Sequence, residues 1–323
     1  MDEQAVYFEQ AASKLNISPA AIEKDFWVCW VLGQLFSSEL LKSKILFKGG
    51  TSLSKVFNLI NRFSEDIDLI LDWNEVAPED PTLERTKTKQ DRFNKKIIPL
   101  SRIYIEKTFL PEVQRVLNDI CTAETELDAP DVINIKYPSS FGQSYLRPEI
   151  RLEIGALALW LPNARYEITP YVSEAFPTAF DNATCSVTAI KAERTFWEKA
   201  TILHAEAFCP NDKPLPPRYS RHYYDLAMMA NSSVKDIALS DLELLQSVAE
   251  FKAKFYPSSW AHYDLAVPET FKLLPSEYHK KALFDDYTKM EEMIFKEIPR
   301  FDDIMKTLQK LECDIHELKL PSR

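Results

Sequence analysis

The chain is 323 residues long, 46% hydrophobic and 27% charged, which suits one large globular domain or two ordinary ones with a sizeable core. Its formal net charge of −10 argues against a surface coated in basic residues for nonspecific nucleic-acid binding. No stretch of about 18 uncharged apolar residues is present, so no membrane-spanning helix is expected.

The first residues, Met1-Asp2-Glu3-Gln4, lack the basic start and apolar middle of a signal peptide, and the expected compartment is the cytoplasm. Residues 4–16 and 19–37 read as helices. Ser18-Pro19 supplies an N-cap followed by proline at the first helical position, and apolar positions 22, 26, 29/30 and 33 follow helical spacing. Residues 45–47 read as a short strand leading into Gly49-Gly50. A helix over 51–60 is expected to bury Leu53, Val56, Phe57 and Ile60. In the strand expected over 64–71, Ser64, Asp66 and Asp68 share one face, and Ile67 and Leu69 the other.

Residues 74–84, with Pro78 and Pro81, read as a loop, and 86–122 as one or two helices broken near Pro99 or Pro111. Within 85–107, eight Lys or Arg stand against two acids, a pattern that fits a solvated helix face or a surface facing RNA phosphates. Strands are expected over 132–137, 148–155 and 165–175, and a short strand or connector over 186–190. From Ala192 the pattern turns helical, with a loop over 209–217 and helices near 219–231, 237–255, 267–273 and 276–311. The five cysteines, 29, 121, 185, 209 and 313, never show C-x-x-C spacing, so reduced thiols are expected.

Five constellations carry candidate chemistry. The five glycines of the chain include the pair in Gly49-Gly50-Thr51-Ser52, at a strand-to-helix turn. Glycine lets backbone approach phosphate, and helix-start N–H groups with a Thr51 or Ser52 hydroxyl suit β and γ phosphates; the alternative is a tight turn capped by Thr51. No Walker A loop is present. Asp66 and Asp68 point to one side of a strand, where two like charges repel unless a cation lies between them; the alternative is a strand end facing water. Glu153, within Arg151-Leu152-Glu153, would complete a two-metal site, or else pairs with Arg151 on the surface. Lys199 falls at the edge of a buried helical stripe, from which a lysine reaches a phosphate or merely flanks the core. Arg218, Arg221, His222 and Asp225 share a helix face as a polar cluster, or Arg221 and Asp225 form a surface i,i+4 pair. His204, on the apolar stripe, reads as a core histidine.

These motifs resemble, in order, those of the AbiEii/AbiGii-type nucleotidyltransferase toxins of bacterial type IV toxin–antitoxin and phage-defence systems, within the DNA polymerase beta nucleotidyltransferase superfamily. The resemblance rests on Lys48-Gly49-Gly50-Thr51-Ser52-Leu53-Ser54-Lys55, Arg62-Phe63-Ser64-Glu65-Asp66-Ile67-Asp68-Leu69, Trp197-Glu198-Lys199-Ala200 and Arg221-His222-Tyr223-Tyr224-Asp225-Leu226. It implies an α/β (α+β) chain: a mixed β-sheet core of nucleotidyltransferase fold flanked by helices over 1–190, then a mainly helical domain over 191–323 that contributes to the active-site cleft. It implies that Gly49, Gly50, Thr51, Ser52, Lys55, Ser64 and Arg221 hold nucleotide, that Asp66 and Asp68 bind Mg²⁺, that Lys199 contacts the nucleotide and that Asp225 completes the site. Many members read Arg-Asp in the fourth motif, where this chain has Arg221-His222. Relatives of the mycobacterial MenT type modify tRNA 3′ ends. The expected activity is therefore transfer of NMP from NTP to an acceptor, the tRNA 3′ end, by a toxin with an antitoxin encoded nearby. The rivals are NMP transfer to a protein, a non-catalytic NTP-binding module and, more weakly, γ-phosphate transfer.

Overall fold

In the computed structural model, which describes residues 3–142, 146–180 and 183–319, a short helix α1 (Glu3–Leu15) precedes α2 (Pro19–Ser37). Ser18 caps α2 as its sequence predicts, its side chain accepting from the Ala21 N–H, and Pro19 spends its missing donor where no intrahelical bond is needed. Phe8, Ala11 and Ala12 of α1 pack with Ile22 of α2 and Val172 in one buried cluster.

Strand β1 (Ile45–Lys48) runs into α3 (Gly49–Lys55), and β2 (Asp66–Leu71) returns antiparallel to β1. The expected helix over 51–60 is thus shorter and starts earlier. Its continuation stops because Asn58 takes a left-handed backbone, φ 50°. The basic stretch forms α4 (Lys87–Tyr104), a five-residue π-helical segment (Ile105–Phe109) and α5 (Leu110–Leu117). Pro99 does not break α4; the irregularity falls just before Pro111, where a wider turn relieves the clash of a proline ring with the carbonyl four residues back. Asn118, left-handed at φ 50°, ends α5. Strand β3 (Thr122–Glu126), unforeseen in the sequence, pairs antiparallel with β4 (Ala129–Lys136).

After β5 (Ile150–Gly155) and β6 (Asn163–Ile168) comes a short α6 (Tyr171–Ala175), where the alternation of residues 165–175 had suggested continued strand. β7 (Cys185–Ile190) completes a seven-stranded mixed sheet in the order β3-β4-β5-β2-β1-β7-β6. β2 lies parallel to β5 and β1 parallel to β7; the remaining neighbours are antiparallel. Central position explains the burial of Leu69, Ile70 and Leu71, while the start of β2 leaves Asp66 and Asp68 only half-buried.

The chain divides into two compact units: one takes the residues up to Asn58 with Phe63–Ile190, the other Leu59–Arg62 with the residues from Lys191 onward. The second unit is helical: α7 (Ala192–Ala207), α8 (Ser220–Ala230), α9 (Val234–Leu239), α10 (Leu242–Phe255), α11 (Glu277–Met290) and α12 (Phe301–His316). The helix expected over 237–255 is split because Asp241 caps a new start, accepting from the Leu244 N–H. The one expected over 276–311 is interrupted before Pro299, whose carbonyl accepts from Tyr287 Oη. Only a single 3₁₀ turn (Pro268–Thr270) forms within 267–273. Phe196, Trp197, Leu203, Tyr224, Leu226, Met229 and Phe271 are fully enclosed in this unit, and Trp197 Nε1 donates to the Ala238 carbonyl. His204 is a core histidine, as read from its stripe: Nδ1 accepts from the Lys272 N–H, so Nε2 carries the proton toward the His262 carbonyl.

Candidate active site

In the first unit, the antiparallel register sets Lys48 opposite Asp68, so the turn after β1 meets the start of β2. Gly49 is left-handed, φ 80°, and a Cβ built on it would stand 1.9 Å from Asp68 Oδ2. No other residue type fits that backbone and that proximity together. Asp66 and Asp68 lie on one face of β2, as the alternation predicts. Asp66 Oδ1 is buried and, among the described residues, has no hydrogen-bond partner. A carboxylate oxygen withdrawn from water without a donor is costly, and a hard cation is the natural partner for it.

Thr51 and Ser52 do not offer their hydroxyls as the sequence suggested. Both residues are buried; Thr51 Oγ1 donates to the Asp66 carbonyl, and Ser52 Oγ to the Gly49 carbonyl at 2.9 Å. They stitch α3 to β2 and to its own turn instead. Gly50 is buried in the same turn, and the half-buried Ser64 lies near Thr51 Oγ1 through its carbonyl, at 3.5 Å. Lys55 also departs from the nucleotide-binding expectation: its ammonium is enclosed, 2.8 Å from Asp25 Oδ1 and over the Tyr171 ring. Its hydrogen bonding is committed to Asp25, inside the first unit.

Glu153 stands opposite Asp68 in the parallel β2–β5 register, and Arg151 opposite Asp66. The Glu153 carboxylate is 40% exposed and 3.2 Å from Arg151 Nη1, which leaves it engaged by its own strand. Among the described residues, no group of three or more Asp, Glu, His or Cys gathers as a metal cluster.

The second unit carries a separate buried ionic cluster. Arg62 grips Asp225 with both ends of its fork, Nε to Oδ1 at 2.7 Å and Nη2 to Oδ2 at 2.8 Å. Lys199 Nζ meets the same Oδ2 at 2.7 Å. Asp225 is 0% exposed, so the surface i,i+4 pair with Arg221 does not form. Burial alone would push the Asp225 carboxyl up, but Arg62 and Lys199 outweigh it and hold it well below the usual carboxylate range. Lys199 is not an edge lysine reaching outward but is itself enclosed; burial lowers its ammonium against the pull of Asp225. Burial and the charges of Lys199 and Arg221 push His222 well below its ordinary value, so its ring is neutral and Nδ1 accepts from Lys199, at 3.5 Å. The segment that delivers Arg62 is pinned in this unit: the Asn61 N–H donates to Tyr224 Oη, and the Asn61 carbonyl accepts from the Phe295 N–H.

Two sets of residues were missed from sequence. Arg62 falls inside the second motif, whose pattern assigns it no role. Glu23, Lys24 and Asp25 belong to none of the motifs, and their signal in the sequence is three charges in a row inside an otherwise apolar helical segment.

A seven-stranded mixed sheet flanked by helices, with two acids on the middle strand beside a glycine turn, defines a nucleotidyltransferase class of fold. The family model for the AbiEii nucleotidyl transferase toxin of type IV toxin–antitoxin systems matches residues 30–307, and the chain belongs to that family. It is accordingly an enzyme of the nucleotidyltransferase class. MenT4, a nucleotidyltransferase toxin from Mycobacterium tuberculosis H37Rv, shares its fold at a TM-score of 0.55 and 13% identity, over 97% of this chain and 90% of that one. A crystal structure from H. pylori, described as a candidate nucleotidyltransferase, aligns at a TM-score of 0.43 and 14% identity, over 98% of this chain and 96% of that one. No curated protein sequence matches the chain.

Proposed function

We propose that this toxin transfers a nucleoside monophosphate from an NTP to the 3′ end of tRNA, releasing pyrophosphate, with Mg²⁺ held by Asp66 and Asp68. The observation that carries the metal assignment is Asp66 Oδ1, buried without a hydrogen-bond partner among the described residues, on the strand face that also bears Asp68. Mg²⁺ bound there supplies charge neutralisation for the triphosphate and an acidified acceptor hydroxyl. Gly49 leaves room for the Asp68 carboxylate, and Thr51 holds the backbone of Asp66 in place. Glu153 is left to Arg151 in this reading. The family resemblance implies Lys199 as a nucleotide contact and Asp225 as completing the site; Arg62 and Lys199 both bind Asp225 within the second unit.

The tRNA acceptor is favoured by the outer face of α4, where Lys87, Lys89, Arg92, Lys95, Lys96 and Arg102 are exposed while Gln90, Phe93, Ile97 and Ser101 turn inward. Such a local basic face suits phosphates despite the acidic whole. The family's toxin–antitoxin context supplies the second expected partner, an antitoxin encoded nearby, and a cytoplasmic setting. Among the described residues, no helix is long and apolar enough to cross a membrane.

The test is incubation of purified protein with Mg²⁺, total bacterial RNA and each α-³²P-labelled NTP in turn, with RNA and protein resolved on gels. A labelled tRNA-sized band that disappears in Asp68→Asn is the expected result. Label in protein alone would replace the tRNA reading with a protein acceptor. NTP binding without any transfer would leave an interaction module.

A further inference from the structure

Glu23, Lys24 and Asp25 are consecutive in α2 and only 1%, 0% and 3% exposed. Burying an ion costs several kcal/mol even after relaxation, and a well-packed apolar trio would serve stability as well. Successive helical positions point about 100° apart, so the three reach different neighbours. Glu23 accepts from Ser139 Oγ at 2.8 Å and from the Ser140 N–H at 2.7 Å. Lys24 Nζ donates to Glu65 Oε2 at 3.0 Å and to the Arg147 carbonyl at 2.8 Å, while the Arg147 N–H donates to the same Glu65 oxygen at 2.8 Å. Asp25 holds Lys55 and also accepts from the Tyr171 N–H at 2.6 Å.

Two of these partners occupy special places. Glu65 directly precedes Asp66. Lys55 is the last residue of the helix that Gly49 begins. All lie within the first unit. We infer that Lys24 and Asp25 are positioning residues for nucleotidyl transfer, one helix fixing both parts of the site: Lys24 aims Asp66 through Glu65, and Asp25 sets the Gly49 turn through Lys55. The inference rests on the reading of Asp66 and Asp68 as a cation site. Lys24 is also within electrostatic reach of Asp66 itself, so its charge eases the crowding of two carboxylates on one strand face. This is the outer-shell support that keeps ligating groups aimed before a ligand arrives.

The test uses the full chain and Mn²⁺ as probe, titrated by electron paramagnetic resonance, with thermal unfolding measured alongside. Lys24→Met/Glu65→Gln removes both charges together, so neither is left buried alone. We expect this variant to melt near wild type yet bind Mn²⁺ about tenfold more weakly, the effect typical of losing outer-shell support. Lys24→Arg, which keeps the charge, should bind close to wild type. KM for NTP should rise with the Mn²⁺ constant. A folded double variant with wild-type Mn²⁺ binding would overturn the positioning role alone. A wild-type protein that takes up no Mn²⁺ would overturn the cation-site reading and this inference with it. If the double variant does not fold, Asp25→Asn/Lys55→Met takes its place in the same titration; failure of both to fold would assign the pairs to stability and overturn the inference.

Discussion

Gly49 and Asp68 are in such close approach that a single added methyl group would stand 1.9 Å from the Asp68 carboxylate. The contact couples backbone choice to chemistry, because the left-handed turn and the acid occupy opposite sides of one small space. Gly49→Ala should therefore do two things at once. Its backbone would cost about 1–2 kcal/mol, and the methyl would drive Asp68 from its place. Nucleotidyl transfer should fall far more than the melting temperature implies. Transfer at the wild-type rate in Gly49→Ala would show that the position of Asp68 is immaterial.

Asp66→Asn removes the charge from a carboxylate whose buried Oδ1 has no hydrogen-bond partner among the described residues. Without metal, the variant should melt at or above the wild-type temperature, since repulsion from Asp68 is relieved. Mg²⁺ should stabilise the wild type, by about 2.7 kcal/mol at a hundredfold excess over its dissociation constant, and leave the variant unmoved. Differential scanning fluorimetry with and without Mg²⁺ checks this; an equal shift in both proteins would remove Asp66 from the metal site.

Asp225 answers two cations from a fully buried position, so its loss removes the carboxylate that Arg62 and Lys199 share. Asp225→Asn should cost about 3–5 kcal/mol at neutral pH. The carboxyl is held below its unfolded value of about 3.9, so its contribution is complete above that value and is lost as pH falls toward the lower folded one. The gap between wild type and variant should accordingly narrow in urea titrations carried from pH 7 to pH 3. A gap that stays constant would show that the cluster does not titrate this way.

Glu153 is the sharpest discriminator between a two-acid and a three-acid centre. With its carboxylate on Arg151, Glu153→Gln should reduce transfer less than the roughly 10²–10⁴-fold expected for removing a general base. A steady-state comparison with Asp68→Asn decides it: comparable losses would restore Glu153 to the site.

Much of this protein was legible in one dimension. The period of two in residues 66–71 put both acids on one strand face, and Ser18-Pro19 announced α2, because alternation and capping are local rules. The glycine pair stood out in a chain with five glycines. Elements whose ends depend on a single left-handed residue, as at Asn58 and Asn118, were misjudged in length, since an asparagine reads the same in helix, turn or cap.

What tertiary structure alone decided is which charges meet. Lys55 sits in the motif beside Thr51 and Ser52, yet Asp25, thirty residues earlier, claims it. Asp225 has Arg221 one helical turn away, yet pairs with Arg62, 163 residues distant in sequence, and with Lys199. Periodicity tells a residue's face, but a buried charge must find its counter-ion wherever packing brings one within about 3 Å, because an unpaired ion out of water costs more than any local preference supplies. The sequence by itself determined the family, the fold class and the two acids on β2; the partners that make Lys24, Asp25, Lys55, Arg62 and Lys199 what they are exist only once the chain has closed around them.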